Sequence, residues 1–194
     1  MILVIDTSSS RSALAVIDPA GRGDHDLIFG SRDPMPLDAR LRDAIPELKT
    51  IAKVVIATGP GSFTGLRRGA SFGVGLAMGL KVPLVPLPTL GLQAARGRGR
   101  FTAISEAGRG RFYRLAPGAE VGLGSPDEIP KEHELVGLVS STSQAQLEVH
   151  GLKFAADREV RTVAEAAEEL LKSAREVPYG SVKLEYMQSF GAKF

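Results

Sequence analysis

Cysteine is missing altogether from the 194 residues. That single absence removes disulfides, thiolate metal sites, thiol nucleophiles and the histidine/cysteine zinc constellation of nucleobase deaminases, and it predicts a cytoplasmic protein. Long apolar runs are missing as well: nothing approaches the roughly 20 residues of a membrane helix. The opening MILVIDTSSS has neither the basic start nor the cleavage pattern of a signal peptide. The N-terminus is therefore expected to belong to the fold, and no membrane partner is expected. Histidine is scarce, and His25, His133 and His150 lie too far apart for HExxH or HxxxH zinc spacing or for a hydrolase triad. No metal site is expected. Acidic residues are missing from Leu48 to Ser105, where Lys49, Lys53, Arg67, Arg68, Lys81, Arg96, Arg98 and Arg100 all fall. The formal net charge of +2 is too small to mark a dedicated nucleic-acid binder, but that stretch should carry a positive field. It reads either as a buried sheet with a few solvated cations or as a surface for an anion or acidic partner.

What is present is an alternation of short apolar runs and one long helical pattern. Ile2 to Ile5 and Ala13 to Ile17 flank a polar turn and read as a hairpin, with Leu27 to Phe29 as a third strand. From Leu37 to Leu48 the apolar positions Leu37, Leu41, Ala44, Ile45 and Leu48 recur at helical spacing, with Pro36 suited to the first turn. Val54 to Ala57 is fully apolar, as a central strand covered on both faces should be. A helix from about Phe63 to Leu80 follows it. This order predicts an α/β protein whose first half is RNase H-like or actin-like. Ile104-Ser105-Glu106-Ala107-Gly108, leading to Phe112-Tyr113, repeats the plan of Val4-Ile5-Asp6-Thr7-Ser8. A second, smaller and degenerate lobe is therefore expected over residues 99–194, after a first lobe over 1–98, with Arg96 to Arg100 at the boundary. In the second lobe a strand near Leu135 to Val139 and a helix from Val163 to Ala174 are expected. The tail from Val177, with Tyr179, Tyr186, Phe190 and Phe194, would pack back on the body or stay mobile.

Three segments are candidates for chemistry or contact. Gly59-Pro60-Gly61-Ser62-Phe63-Thr64-Gly65 joins a strand to a helix, so its N–H groups could hold an anion. No Lys-Ser/Thr pair follows and the glycine spacing misses the dinucleotide fingerprint. The preferred reading is a tight turn at Pro60-Gly61 with Ser62 capping the helix. Along that helix Gly65, Gly69, Phe72, Gly73 and Leu76 share one face. Each interior glycine costs about 1 kcal/mol relative to alanine, so the stripe calls for close backbone approach, either of its own sheet or of a helix from another subunit. The second is preferred here, because Leu66, Ala70, Val74 and Ala77 offer another apolar face for the sheet. On that basis Gly69→Leu should block helix approach and spare the fold. Asp6, at the end of the first strand, stands where actin-like ATPases hold metal and phosphate. One carboxylate is not enough for an active kinase, so Asp6, Thr7, Ser62 and Thr64 are candidates only for residual nucleotide contact.

Ile5-Asp6-Thr7-Ser8, then Gly59 to Leu66-Arg67, then Ala107-Gly108-Arg109-Gly110 before Phe112-Tyr113 together resemble the TsaB (YeaZ) family. The middle segment, with Gly69 and Val82-Pro83-Leu84-Val85 after it, carries the resemblance over the first hundred or so residues. The resemblance implies an actin-like (ASKHA) fold with a decayed ATP site. It also implies a non-catalytic role beside the paralogue TsaD in making N6-threonylcarbamoyladenosine next to the anticodon of tRNA. Contacts with TsaD, or with a second copy of the chain when TsaD is absent, would use the helices Leu37 to Leu48 and Phe63 to Leu80. The candidate contact residues are Leu37, Leu41, Gly65, Leu66, Arg67, Gly69, Phe72, Gly73 and Leu76. The ATPase TsaE would join the pair, ATP or ADP would enter only within the complex, and tRNA would be bound through it. Departures are Asp33-Pro34-Met35-Pro36, where the family commonly has His-Ser, and Arg68, where it has an aliphatic residue. Glu106 and Arg111 also depart from the usual Asp and acidic residue of the second turn. Alternatives are an actin-like ATP-dependent phosphotransferase, a metallopeptidase, and direct tRNA binding through Arg96 to Arg111.

Overall fold

The computed structural model describes residues 1–18 and 25–186. Two sheets form its frame. The first has the order β3-β2-β1-β4-β5, built from β1 (Ile2–Asp6), β2 (Arg11–Ile17), β3 (His25–Gly30), β4 (Lys53–Ala57) and β5 (Leu84–Leu87). β1 runs antiparallel to β2 and parallel to β4. The second has the order β8-β7-β6-β9, from β6 (Thr102–Gly108), β7 (Arg111–Leu115), β8 (Gly122–Gly124) and β9 (Leu135–Val136). β6 runs antiparallel to β7 and parallel to β9, so this sheet repeats the first four strands of the other in the same order. The repeat suspected between the two acidic turns thus extends to topology. The α/β, RNase H-like architecture expected from the order of elements is the one observed.

The central strands are apolar from Ile2 to Ile5 and from Val54 to Ala57 because the first sheet is covered on both faces. Leu3, Ile5, Val54 and Ile56 face one way, onto α1 (Leu37–Ala44) and α2 (Phe63–Leu80). Val4, Val55 and Val85 face the other, onto α3 (Thr89–Arg96) and α5 (Val163–Leu171). α5 lies far along the chain, yet Asp26 of β3 accepts hydrogen bonds from the Val163 and Ala164 N–H groups and pins its start to the first sheet. The remaining helix, α4 (Ser141–Val149), packs Leu147 into the core of the second sheet with Ile104 and Phe112.

Several boundaries differ from expectation. α1 stops at Ala44 because Pro46 disfavours helical geometry at Ile45, whose φ and ψ are −134° and 87°. Leu48–Thr50 forms only a single 3-10 turn, and Pro36 is the N-cap rather than a first-turn residue. Only Leu135–Val136 of the expected strand is paired, and α5 ends at Leu171. The tail packs back as far as it is described. Val177 bridges Leu84, the Tyr179 hydroxyl donates to the Val82 carbonyl, and the Glu185 N–H donates to the Thr58 carbonyl at 2.8 Å. Phe190 and Phe194 lie outside the described residues. Among the described residues no helix is long and apolar enough to cross a membrane.

Candidate functional site at the seam of the two sheets

The two acidic turns open on one cleft of about 430 Å³, walled by the β1–β2 turn, the start of α2, the β6–β7 hairpin and Tyr186. Its floor explains the glycines of the Gly59–Gly65 loop. The Ser62 N–H donates to the Ser8 carbonyl at 2.6 Å and the Thr7 hydroxyl donates to the Gly65 carbonyl at 2.6 Å, so loop and turn meet backbone to backbone. A β-carbon at Gly61 or Gly65 would sit inside 3.0 Å of the Ser8 or Thr7 carbonyl oxygen, which only glycine avoids. Ser62 caps α2 by accepting from the Gly65 N–H at 3.3 Å, as the preferred reading of this loop had it. One donor that a phosphate would use is therefore already engaged, while Thr64 is exposed on the first turn.

Both carboxylates are engaged by the chain's own donors, although Glu106 lines the cleft and Asp6 lies buried beneath it. Asp6 is 1% exposed. Its Oδ1 accepts from the Ser8 N–H (2.9 Å) and Ser8 hydroxyl (2.5 Å), and its Oδ2 from Gln93 Nε2 (3.2 Å). Gln93 Oε1 in turn accepts from Arg96 Nη1 at 2.9 Å, and Arg96 Nε donates to the Arg161 carbonyl. Burial pushes the Asp6 carboxyl above its ordinary pKa, against the pull of Ser8, Gln93 and the Arg96 charge. Glu106 is more heavily engaged. Oε2 accepts from the Ser9 hydroxyl and the Ser10 N–H, and Oε1 from the N–H and hydroxyl of Ser140 and the hydroxyl of Ser143. Burial alone would raise its pKa, but these bonds hold it down to about 2. Glu106 thus staples the first sheet's turn and the start of α4 to β6. Sequence reasoning placed Glu106 in the second turn but missed this role, which depends on serines far apart in the chain.

Arg68, the departure from the family pattern, lines the same cleft and donates to the Ser31 carbonyl and the Ser12 hydroxyl, each at 3.2 Å. The departure at Asp33 is also locked into the fold: Asp33 pairs with Arg40, whose guanidinium lies 4.3 Å from the Phe29 ring centroid. Among the described residues no three His, Asp or Glu side chains converge to hold a metal ion.

The expected contact residues are placed differently from the sequence reading. Leu37, Leu41 and Leu66 are buried in the chain's own core. Gly65, Gly69 and Gly73 face inward: a β-carbon at Gly69 would collide with the Thr7 hydroxyl, and one at Gly73 with Ile56 and Ile5. The glycine stripe is therefore the seat of β1 and β4, whose branched side chains leave room for nothing larger. It is not a face offered to a second subunit. Phe72 and Leu76 are half-buried against the same core. Arg67 alone of the nine is exposed, with its guanidinium 3.9 Å over the Phe63 ring. The outward stripe of α2 is Arg67, Ser71, Gly75, Met78 and Gly79.

A family model described as TsaD, tRNA N6-adenosine threonylcarbamoyltransferase, matches residues 36–170, more than half of the chain. The Bacillus subtilis (strain 168) tRNA threonylcarbamoyladenosine biosynthesis protein TsaB is 37% identical over 76 residues, 38% of this chain and 33% of that protein. In this match the chain spans about a third of the relative's length. Two solved Pseudomonas aeruginosa structures share the fold. One, a protein with similarity to peptidase YeaZ, has TM-score 0.68, 18% identity and coverage of 96% of this chain and 99% of that one. The other, YeaZ itself, has TM-score 0.66 at the same identity and coverage. With the three motif segments, the repeated sheet plan and a family model that covers β4 and β5 of the first sheet and all of the second, the chain belongs to the TsaB (YeaZ) family.

Proposed function

We propose that this chain is a non-catalytic partner in the synthesis of N6-threonylcarbamoyladenosine on tRNA, acting on a catalytic TsaD paralogue. The observation that carries the non-catalytic part is the state of the buried Asp6 and of Glu106 in the cleft wall. Asp6 accepts three hydrogen bonds and Glu106 five, all from the chain itself. A magnesium ion bound to phosphates needs carboxylate oxygens that face the cavity, and opening either of these would strand buried donors at about 1–3 kcal/mol apiece. A phosphotransferase, the alternative reading, would have to break these hydrogen bonds to free carboxylate oxygens for metal.

The partner surface in this proposal is the outward face of α2. Gly75 and Gly79 meet nothing within 4 Å where a β-carbon would stand, so the chain's own packing gives no reason for them. Each costs the helix about 1 kcal/mol. Met78 and Phe63, 54% and 38% exposed, flank that stripe with apolar surface. A second helix could approach Gly75 closely and bury Met78, in TsaD or in a second copy of this chain. The division into residues 1–98 and 99–194 is kept as part of this proposal, with α5 of the second unit lying on the first sheet. TsaE, tRNA and ATP or ADP belong to the assembled complex, in the cytoplasm.

Reconstitution with the TsaD of the same organism tests the proposal. Threonylcarbamoyladenosine formation is expected to require this chain and to survive Asp6→Asn wherever that variant folds. Titration calorimetry of the isolated chain with magnesium and ATP is expected to give no heat. Magnesium-dependent ATP binding lost in Asp6→Asn would support the phosphotransferase instead.

A further inference from the structure

The basic stretch Arg96 to Arg111 separates in three dimensions into sets with different surroundings. Arg96 turns inward and serves the Asp6–Gln93 chain. Arg98 and Arg100 open on a cleft of about 720 Å³ with Arg158 and Arg161, but Glu132, Glu134, Glu159 and Glu165 line the same cleft and the charges cancel. Arg109 and Arg111 belong to another cleft, of about 530 Å³, where they meet Arg32 from the end of β3. Glu106 is the one acid among its lining residues, and that carboxylate already has five donors. All three arginines are exposed, and none makes an ion pair among the described residues.

From this juxtaposition we propose that the cleft of Arg32, Arg109 and Arg111 binds the phosphate backbone of RNA. The hairpin is built to present the charge. Gly108, Arg109 and Gly110 all have positive φ, 78°, 54° and 68°, so an arginine occupies a left-handed tip position that side chains seldom adopt. Gln146 of α4 donates to the Gly110 carbonyl at 3.4 Å and ties that tip to the opposite wall. Three guanidiniums lining one concavity supply the paired N–H donors through which arginine grips phosphate. A lipid surface or a protein hot spot would call for an apolar anchor. None of the exposed large apolar side chains lines this cleft. The choice of RNA over a small phosphate compound rests on the tRNA reading above.

The test is fluorescence anisotropy of the full chain with an unmodified tRNA transcript across a salt series, with inorganic phosphate and ADP as separate ligands. Binding is expected to be weak and steeply salt-dependent. The triple variant Arg32→Ala, Arg109→Ala, Arg111→Ala should lose about tenfold or more at low salt and flatten the log–log salt slope by about two, since each phosphate contact contributes about 0.7–0.9. Lysine at the same positions should keep the slope, and Arg98→Ala with Arg100→Ala should change it little. Three results overturn the inference: an unchanged slope in the triple variant, a loss that follows Arg98 and Arg100 instead, or a wild-type chain that binds phosphate or ADP but no RNA. TsaD complex formation by the same samples is read in parallel. A wild-type chain that fails there counts against the partner proposal, whatever the RNA result.

Discussion

Gly69→Leu is expected to leave no stable folded chain. The β-carbon alone would fall inside 3.0 Å of the Thr7 hydroxyl, and Thr7 cannot yield, because it is 2% exposed and its hydroxyl is spent on the Gly65 carbonyl. Behind it stands Ile5, in the middle of the core. Overpacking a core by a few methylenes costs about 1–3 kcal/mol, and a whole leucine side chain at this backbone contact should cost about 4 kcal/mol or more, a large share of the roughly 5–15 kcal/mol of a typical domain. Thermal melts of whatever soluble fraction remains would check it. The sequence reading predicted a folded variant defective only in assembly. The structure reverses this, and Gly75→Leu becomes the substitution that spares the fold.

Glu106→Ala should be the next most damaging change. It leaves five donors from Ser9, Ser10, Ser140 and Ser143 without their acceptor. Water can reach some of them, so a cost of about 3 kcal/mol is expected, or roughly 6–12 °C in Tm for a chain of this size. Glu106→Gln should cost less, since one amide oxygen still accepts. The pH dependence has a definite sign. Glu106 is held at about 2, below its ordinary 4.5, so its contribution is complete above 4.5 and is lost as pH falls from there towards 2. Asp6, raised by burial, acts in the opposite sense and favours acid. The useful comparison is therefore between wild type and Glu106→Gln, whose melting curves should converge as the pH falls through that window.

Much of the first sheet was legible in the sequence because strands covered on both faces are apolar throughout. α2 was legible to the residue: Ser62 caps its start, and Lys81, at φ 57°, closes it ahead of Pro83. β5 and α3 were not recognised as elements. β5 contains Pro86, a strand breaker tolerated here because β5 is an edge strand. α3 starts abruptly after Pro88 and includes Gly91. α4 opens on Ser-Thr-Ser-Gln and buries only Leu147, so its pattern gives little helical period.

The site was harder to read than the fold. That α2 carries a glycine stripe is written in the sequence, but which stripe meets the sheet depends on the shape of the opposing surface. Ile5, Thr7, Val54 and Ile56 are branched and need small partners, so glycine, rather than the larger Phe72 or Leu76, lies against them. The function of Glu106 depended on Ser9, Ser10, Ser140 and Ser143 arriving together, which no local spacing announces.

The measurement that bears most directly on the account is size-exclusion chromatography with light scattering of this chain mixed with the TsaD of the same organism, beside Gly75→Leu. A stable mixed complex is expected for the wild type, and for Gly75→Leu a normal melting temperature with the complex lost. A wild-type chain that stays apart from TsaD, or a Gly75→Leu variant that assembles as well as the wild type, would contradict it.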